Sequence, residues 1–181
     1  EFHNIDCCDF EKIKKIMKGV KVVYHCAATA HEGLSVFSPY EITKNNYLAS
    51  VSIFSAAVNA KVRRIVFCSS MARYGDQKAP FIESMKPKPV DPYAISKVAG
   101  EDYLKNSSVN CISLRLCTIY GPFHFNGPIP IFYNNLINSK TSKIVKSKRN
   151  FLHMSDFLKL IELVNEFADM FWQTKGVKTK K

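Results

Sequence analysis

Tyr93 and Lys97 stand four residues apart in the segment Pro92-Tyr93-Ala94-Ile95-Ser96-Lys97. On a helix this spacing puts a phenol and an ammonium on one face, within reach of each other. A positive charge beside a tyrosine favours the phenolate, so the pair is expected to draw the tyrosine pKa down towards neutrality. A tyrosine tuned in this way can take a proton from a sugar or alcohol hydroxyl. The same spacing also arises by chance on solvated helix faces. The chemistry therefore depends on what the rest of the chain brings to the pair.

Three apolar runs are expected to form buried strands that do this. Val20 to Ala28 ends in the small residues Ala27 and Ala28, Arg64 to Ser70 ends in two serines, and Val109 to Leu116 leads to Thr118 and Tyr120. Between them lie helical patterns: one after Asp9 as cap, one from Pro39 to Ala60 with Pro39 at its first position, and one carrying Tyr93 and Lys97 as far as Asn106. Apolar strands alternating with amphipathic helices predict βαβ units, and hence an α/β fold with a Rossmann-like parallel sheet flanked by helices. In such sheets ligands bind at the carboxyl ends of the strands. Past Pro122 the pattern changes to helices over Ile129–Ile137 and Asp156–Phe167.

Composition bounds the function. The chain has 181 residues, 46% of them apolar, which is enough for a real core. No apolar run approaches the roughly 18 residues of a membrane span, so no membrane partner is expected. The net charge is +11, of which +6 falls from Lys140 onward, much of it in a basic tail over 171–181 expected to be frayed and solvated. No basic stripe is interleaved with aromatics, which argues against nucleic acid. Six cysteines carry no Cys-x-x-Cys pattern, and Cys26, Cys68, Cys111 and Cys117 lie in or beside apolar runs, where free Cys acts as a small hydrophobe. Neither a metal site nor disulfides are expected, and a reducing cytoplasm is the simpler compartment.

Several segments together resemble the extended short-chain dehydrogenase/reductase family, specifically its NAD-dependent nucleotide-sugar epimerases and dehydratases of the UDP-glucose 4-epimerase type. In the family's order these are Asp6-Cys7-Cys8-Asp9, His25-Cys26-Ala27-Ala28, Asn45-Asn46-Tyr47, Cys68-Ser69-Ser70 running to Tyr74-Gly75, the Tyr93–Lys97 pair, Arg115 through Tyr120-Gly121-Pro122, and Arg149-Asn150-Phe151-Leu152-His153-Met154-Ser155-Asp156. The likeness spans roughly residues 3–165.

That resemblance implies NAD as cofactor, held by Asp6, Cys7, Ala27, Ala28, Tyr93 and Lys97. It implies catalysis by Tyr93, Lys97, Ser70 and Asn46. A nucleotide sugar, most simply a UDP-sugar, would meet Ser70, Thr118 and Arg149. The helices over 39–60 and 92–106 would pair in a homodimer. The implied domains are a partial NAD-binding unit over 1–122 and part of a substrate-binding region over 123–170. Plainer readings stand beside these roles: Asp6 as a turn aspartate, Ser70 as a strand-end serine, Asn46 as a solvated helix residue, and Arg149 as part of a basic cluster with Lys146 and Lys148.

The chain departs from the family in one respect above all. None of its seven glycines forms the glycine-rich turn that cradles a cofactor pyrophosphate. Together with Glu1 in place of Met, this leads to the expectation of a fragment that lacks the first βαβ half and part of the C-terminal region, and that binds NAD weakly or not at all by itself. The activity expected of the parent protein is 4-epimerisation, because Met71-Ala72-Arg73 stands where related 4,6-dehydratases carry an acidic pair. A dehydratase, reductase or decarboxylase of the same family, or a noncatalytic module acting through helix association, are the alternatives.

Overall fold

A computed structural model describes residues 1–144 and 149–175, with side chains as far as residue 167 in the last helix. Lys146, Lys148 and residues 176–181 lie outside the described residues. The chain divides into two compact units, the first Glu1–Leu116 and the second from Cys117 onward.

In the first unit the order is α1 (Phe10–Ile16), β1 (Val22–His25), α2 (Glu32–Ser35), α3 (Pro39–Ile42), a π-helical segment (Thr43–Leu48), α4 (Ala49–Asn59), β2 (Arg64–Ser70), a 3₁₀ turn (Met71–Tyr74), α5 (Pro92–Lys105) and β3 (Cys111–Leu116). The three strands form the expected parallel sheet in the order β1-β2-β3, with His25 opposite Phe67 and Ser70 opposite Leu116. Local sequence explains the helix starts. The Asp9 carboxylate accepts from the Lys12 backbone N–H at 3.2 Å, and the Asp91 carboxylate accepts from the Ala94 N–H at 2.8 Å with Pro92 just behind it.

The core lies between the sheet and α1, α4 and α5. Phe54 and Phe67 are fully buried and meet edge to face at 5.4 Å between ring centroids. Burying a side chain of this size stabilises the fold by about 1.5–3 kcal/mol. Gly100 lets α5 come this close, since a Cβ there would lie 2.9 Å from the Phe67 ring. Gly75 ends the 3₁₀ turn at φ +58°, where a Cβ would fall 2.0 Å from the Lys88 carbonyl oxygen.

The run from Pro39 to Ala60 differs from the single regular helix expected. Six residues, Thr43–Leu48, are π-helical between α3 and α4. Such bulges widen one turn and gather at functional sites. This one contains Asn46, and the widened turn takes that side chain into the interior, where it is 2% exposed.

The second unit holds β4 (Thr118–Tyr120), α6 (Pro128–Ile137), β5 (Phe151–His153) and α7 (Met154–Lys175). β4 and β5 pair in parallel with Thr118 opposite Phe151 and Tyr120 opposite His153. Of the tail expected to fray, residues 171–175 continue α7.

Candidate active site

α5 begins at Pro92, so Tyr93 and Lys97 both lie in its first turns, and both are buried. The expected shared face exists, and it continues through Gly100, Glu101 and Leu104. Lys97 Nζ stands 5.7 Å from the Tyr93 ring centroid and 5.0 Å from that of Phe67. It donates to the Cys68 carbonyl oxygen at 2.7 Å. The helix thus hangs its lysine on the carboxyl end of β2, beside Ser70.

The direction of the tyrosine pKa departs from the expectation. Burial raises it above the ordinary phenol value, hydrogen bonding with Ser70 works the other way, and the charges of Glu32 and Asp91 raise it further. Desolvation wins because the phenolate would be charged inside the protein. Lys97 is itself lowered to about 8 by burial.

Asn46 is anchored, not solvated. Its Oδ1 accepts from the Thr29 N–H at 2.7 Å, and its Nδ2 donates to the Thr29 carbonyl at 3.2 Å and to Ser96 Oγ at 3.3 Å. Ser96 Oγ in turn donates to the Tyr93 carbonyl at 2.7 Å. One amide therefore joins the chain leaving β1 to the turn of α5 that carries the tyrosine. Ser70 ends β2 and caps the 3₁₀ turn, accepting from the Ala72 N–H at 3.1 Å. Ala27 and Ala28 are exposed just past β1 and bring no bulk to that edge.

Asp6 has the plainer role at one oxygen: Oδ1 accepts from the Cys8 N–H at 2.8 Å in the turn before α1. Cys7 packs against the core. Thr118, on β4, and the exposed Arg149, just before β5, belong to the second unit. All six cysteines are free. Among the described residues no group of three or more His, Cys, Asp and Glu side chains is placed to hold a metal ion, and no helix is long and apolar enough to cross a membrane.

His25 is a core histidine. It stacks on Phe67 at 5.7 Å, meets Phe54 edge-on at 5.4 Å, and its Nε2 lies 2.8 Å from Ser50 Oγ, which donates to the Asn46 carbonyl. Burial first, and the Lys97 charge second, lower its pKa from 6.5 to about 4. The unfolded chain therefore takes up a proton at a pH where the fold still refuses it. This contribution to stability is complete above about pH 6.5, falls as the pH drops from there to about 4, and amounts to about 3 kcal/mol. Urea unfolding at about pH 7.5 and about pH 4.5 should show the loss, and His25→Phe should remove most of it. A variant with the undiminished pH dependence would clear His25 as the cause.

Sequence reading missed a buried ion cluster. Glu101 accepts from Arg73 Nη1 at 2.7 Å and from Arg115 Nε and Nη2 at 3.2 and 3.1 Å, and Ser69 Oγ donates to its other oxygen. Arg115 Nη1 also donates to Tyr74 Oη at 3.0 Å and to the Glu83 carbonyl at 2.7 Å. The signal was available: Glu101 follows Lys97 by one helical turn on the same buried face. The two arginines occupy Glu101, so its charge is not the partner of Lys97.

The chain is 31% identical over 162 residues to human dTDP-D-glucose 4,6-dehydratase, covering 83% of this chain and 46% of that one. It is 31% identical over 173 residues to a putative UDP-glucose 4-epimerase of Methanocaldococcus jannaschii, covering 88% and 57%. It is similar to the crystal structure of DesIV, a dTDP-glucose 4,6-dehydratase from Streptomyces venezuelae solved with NAD bound, with a TM-score of 0.83, 28% identity, and 91% and 54% of the two chains covered. The chain spans about half the length of the curated relatives it matches. A family model matches residues 1–171, nearly the whole chain and every segment that builds the tyrosine site, and so the chain belongs to the NAD dependent epimerase/dehydratase family.

Proposed function

We propose that the whole protein is a nucleotide-sugar 4-epimerase in which Tyr93 is the general base. The observation that carries this reading is the meeting of Tyr93, Ser70 and Lys97 at the carboxyl edge of the sheet, with Asn46 bracing the turn that holds the tyrosine. Tyr93 would take the proton of the sugar 4-hydroxyl and later return one. Ser70 would hold the reacting oxygen by a hydrogen bond, which also favours the phenolate. Lys97 is buried and cationic below about pH 8, and it supplies the positive charge on this face. Thr118 would lie along the sugar, and the Arg149 guanidinium suits a diphosphate or ribose. UDP-sugars are the expected substrates.

The residues present fit part of an NAD molecule. The exposed Ala27 and Ala28 leave room for a flat ring beside the strand end, where Tyr93 and Lys97 also stand. Asp6 would accept from the adenine amino group beside the Cys7 backbone, while the glycine turn for the pyrophosphate is not among these residues. When bound, NAD would take up and return the hydride that makes the 4-position transiently a ketone.

Met71 and Ala72, in place of an acidic pair, support epimerisation over dehydration. Proton NMR of the whole protein incubated with a panel of UDP-hexoses separates the two. A product inverted at C4 supports the reading; a 4-keto-6-deoxy sugar overturns it in favour of a dehydratase.

Association through the helices over 39–60 and 92–106 is part of the same proposal. A largely apolar groove runs there, lined by Tyr40, Tyr47, Leu48, Val51 and Tyr103, with Tyr40 and Leu48 exposed. A homodimer would cover it. Leu48→Glu should then convert a dimer to a monomer in size-exclusion chromatography with light scattering. A wild-type protein that is already monomeric would sink this part of the proposal.

A further inference from the structure

Two thiols stand side by side at the strand ends where Lys97 is held. β1 and β2 run in parallel with His25 opposite Phe67, so the next residues, Cys26 and Cys68, face each other on the other surface of the sheet. Their Sγ atoms are 3.4 Å apart, with Cys68 donating to Cys26. Adjacent strands lie about 4.7–4.9 Å apart, inside the roughly 4.4–6.8 Å Cα window that a disulfide spans. Cys26 is exposed and Cys68 half-buried, so an oxidant from solvent meets Cys26 first.

The other environments differ. Cys7, Cys8 and Cys111 are all pushed up by burial, which keeps their thiols protonated and inert. Cys26 is drawn down to about 7 by the hydrogen bond from Cys68, helped by the Lys97 charge and opposed by burial. Cys68, the donor of that bond, is raised. The pair therefore combines an exposed thiolate with a protonated neighbour in van der Waals reach.

We propose that Cys26 and Cys68 form a dithiol modification site that a peroxide converts to a disulfide. The Cys26 thiolate attacks a peroxide oxygen; the O–O bond breaks, hydroxide leaves and is protonated to water, and Cys26 becomes a sulfenic acid. Cys68 Sγ then attacks the Cys26 sulfur, the S–S bond forms, and the sulfenic oxygen leaves as a second water with the Cys68 proton. Two thiols lose two electrons and two protons, and hydrogen peroxide becomes two waters. The inference stands apart from the NAD and sugar reading, because every group it uses is on this chain. The bond would tie β1 to β2 at the residue whose carbonyl holds Lys97.

Trypsin makes the test direct, since Val22–Lys44 contains Cys26 and Ile65–Arg73 contains Cys68, each as its only cysteine. The folded protein is treated with stoichiometric hydrogen peroxide, alkylated in denaturant and digested without reductant. The expected product is the two peptides joined, lighter by two hydrogen atoms than their reduced sum and separated again by dithiothreitol. Cys26→Ser and Cys68→Ser should each abolish it. The wild-type map suffices should either variant fail to fold. Both peptides recovered alkylated, Cys26 driven to the sulfinic acid beside an alkylated Cys68, or either cysteine joined to a different partner would overturn the proposal.

Discussion

Glu101→Ala should destabilise the fold by about 3–5 kcal/mol, the range seen when one member of a buried ion pair is removed. Glu101 and Arg73 are each less than 10% exposed, so solvent screens their interaction little. The substitution leaves the Arg73 and Arg115 guanidiniums without the carboxylate oxygen they share, and it takes away the acceptor of Ser69 Oγ. Burial raises the Glu101 pKa, while Ser69 and Arg73 lower it, so the cluster balances desolvation against pairing. Glu101→Gln keeps an oxygen for Ser69 or one arginine and should lose clearly less. Urea titration at neutral pH measures both. A Glu101→Ala protein within about 1 kcal/mol of the parent would mean that water or rearrangement replaces the carboxylate, and that the cluster matters little.

The effect should also reach function, because the cluster joins the elements that hold the site. Ser69 and Arg73 flank Ser70 on β2 and the 3₁₀ turn, Glu101 lies one turn after Lys97, and Arg115 is on β3. Loosening it frees the strand end that carries Ser70 and the Cys68 carbonyl.

Much of this was legible beforehand. Strands and helices could be read because the apolar runs are strand-length and bounded by capping residues such as Asp9, Asp91 and Pro92. The Tyr93–Lys97 face could be read because helical spacing alone determines it. The π-helical turn at Asn46 could not, since no residue type demands it; tertiary packing does, by paying Asn46 with partners from Thr29 and Ser96. The partner of Lys97 was hidden for a different reason. A backbone carbonyl carries no sequence signature, and the burial of Tyr93, which raises its pKa, depends on how α5 packs. The Cys26–Cys68 contact depends on strand register, which the sequence constrains only through its hydrophobic pattern.

On the proposed epimerase mechanism, Tyr93→Phe should cost the whole protein about 10²–10⁴-fold in turnover, the usual worth of a positioned general base. The fold should survive. The phenyl ring fills the same buried space, and the hydroxyl contributes about one hydrogen bond, with Ser70, worth about 1 kcal/mol. Because the free tyrosine is held above its ordinary pKa, wild-type activity should rise towards alkaline pH, until Lys97 loses its proton near 8 and its charge no longer assists. The most direct measurement is the rate of C4 inversion of UDP-hexoses by proton NMR, wild type and Tyr93→Phe side by side, with circular dichroism confirming that both are folded. The expected result is inversion by the wild type and a loss of at least about a hundredfold in the variant. Inversion by a folded Tyr93→Phe protein at the wild-type rate would contradict the account.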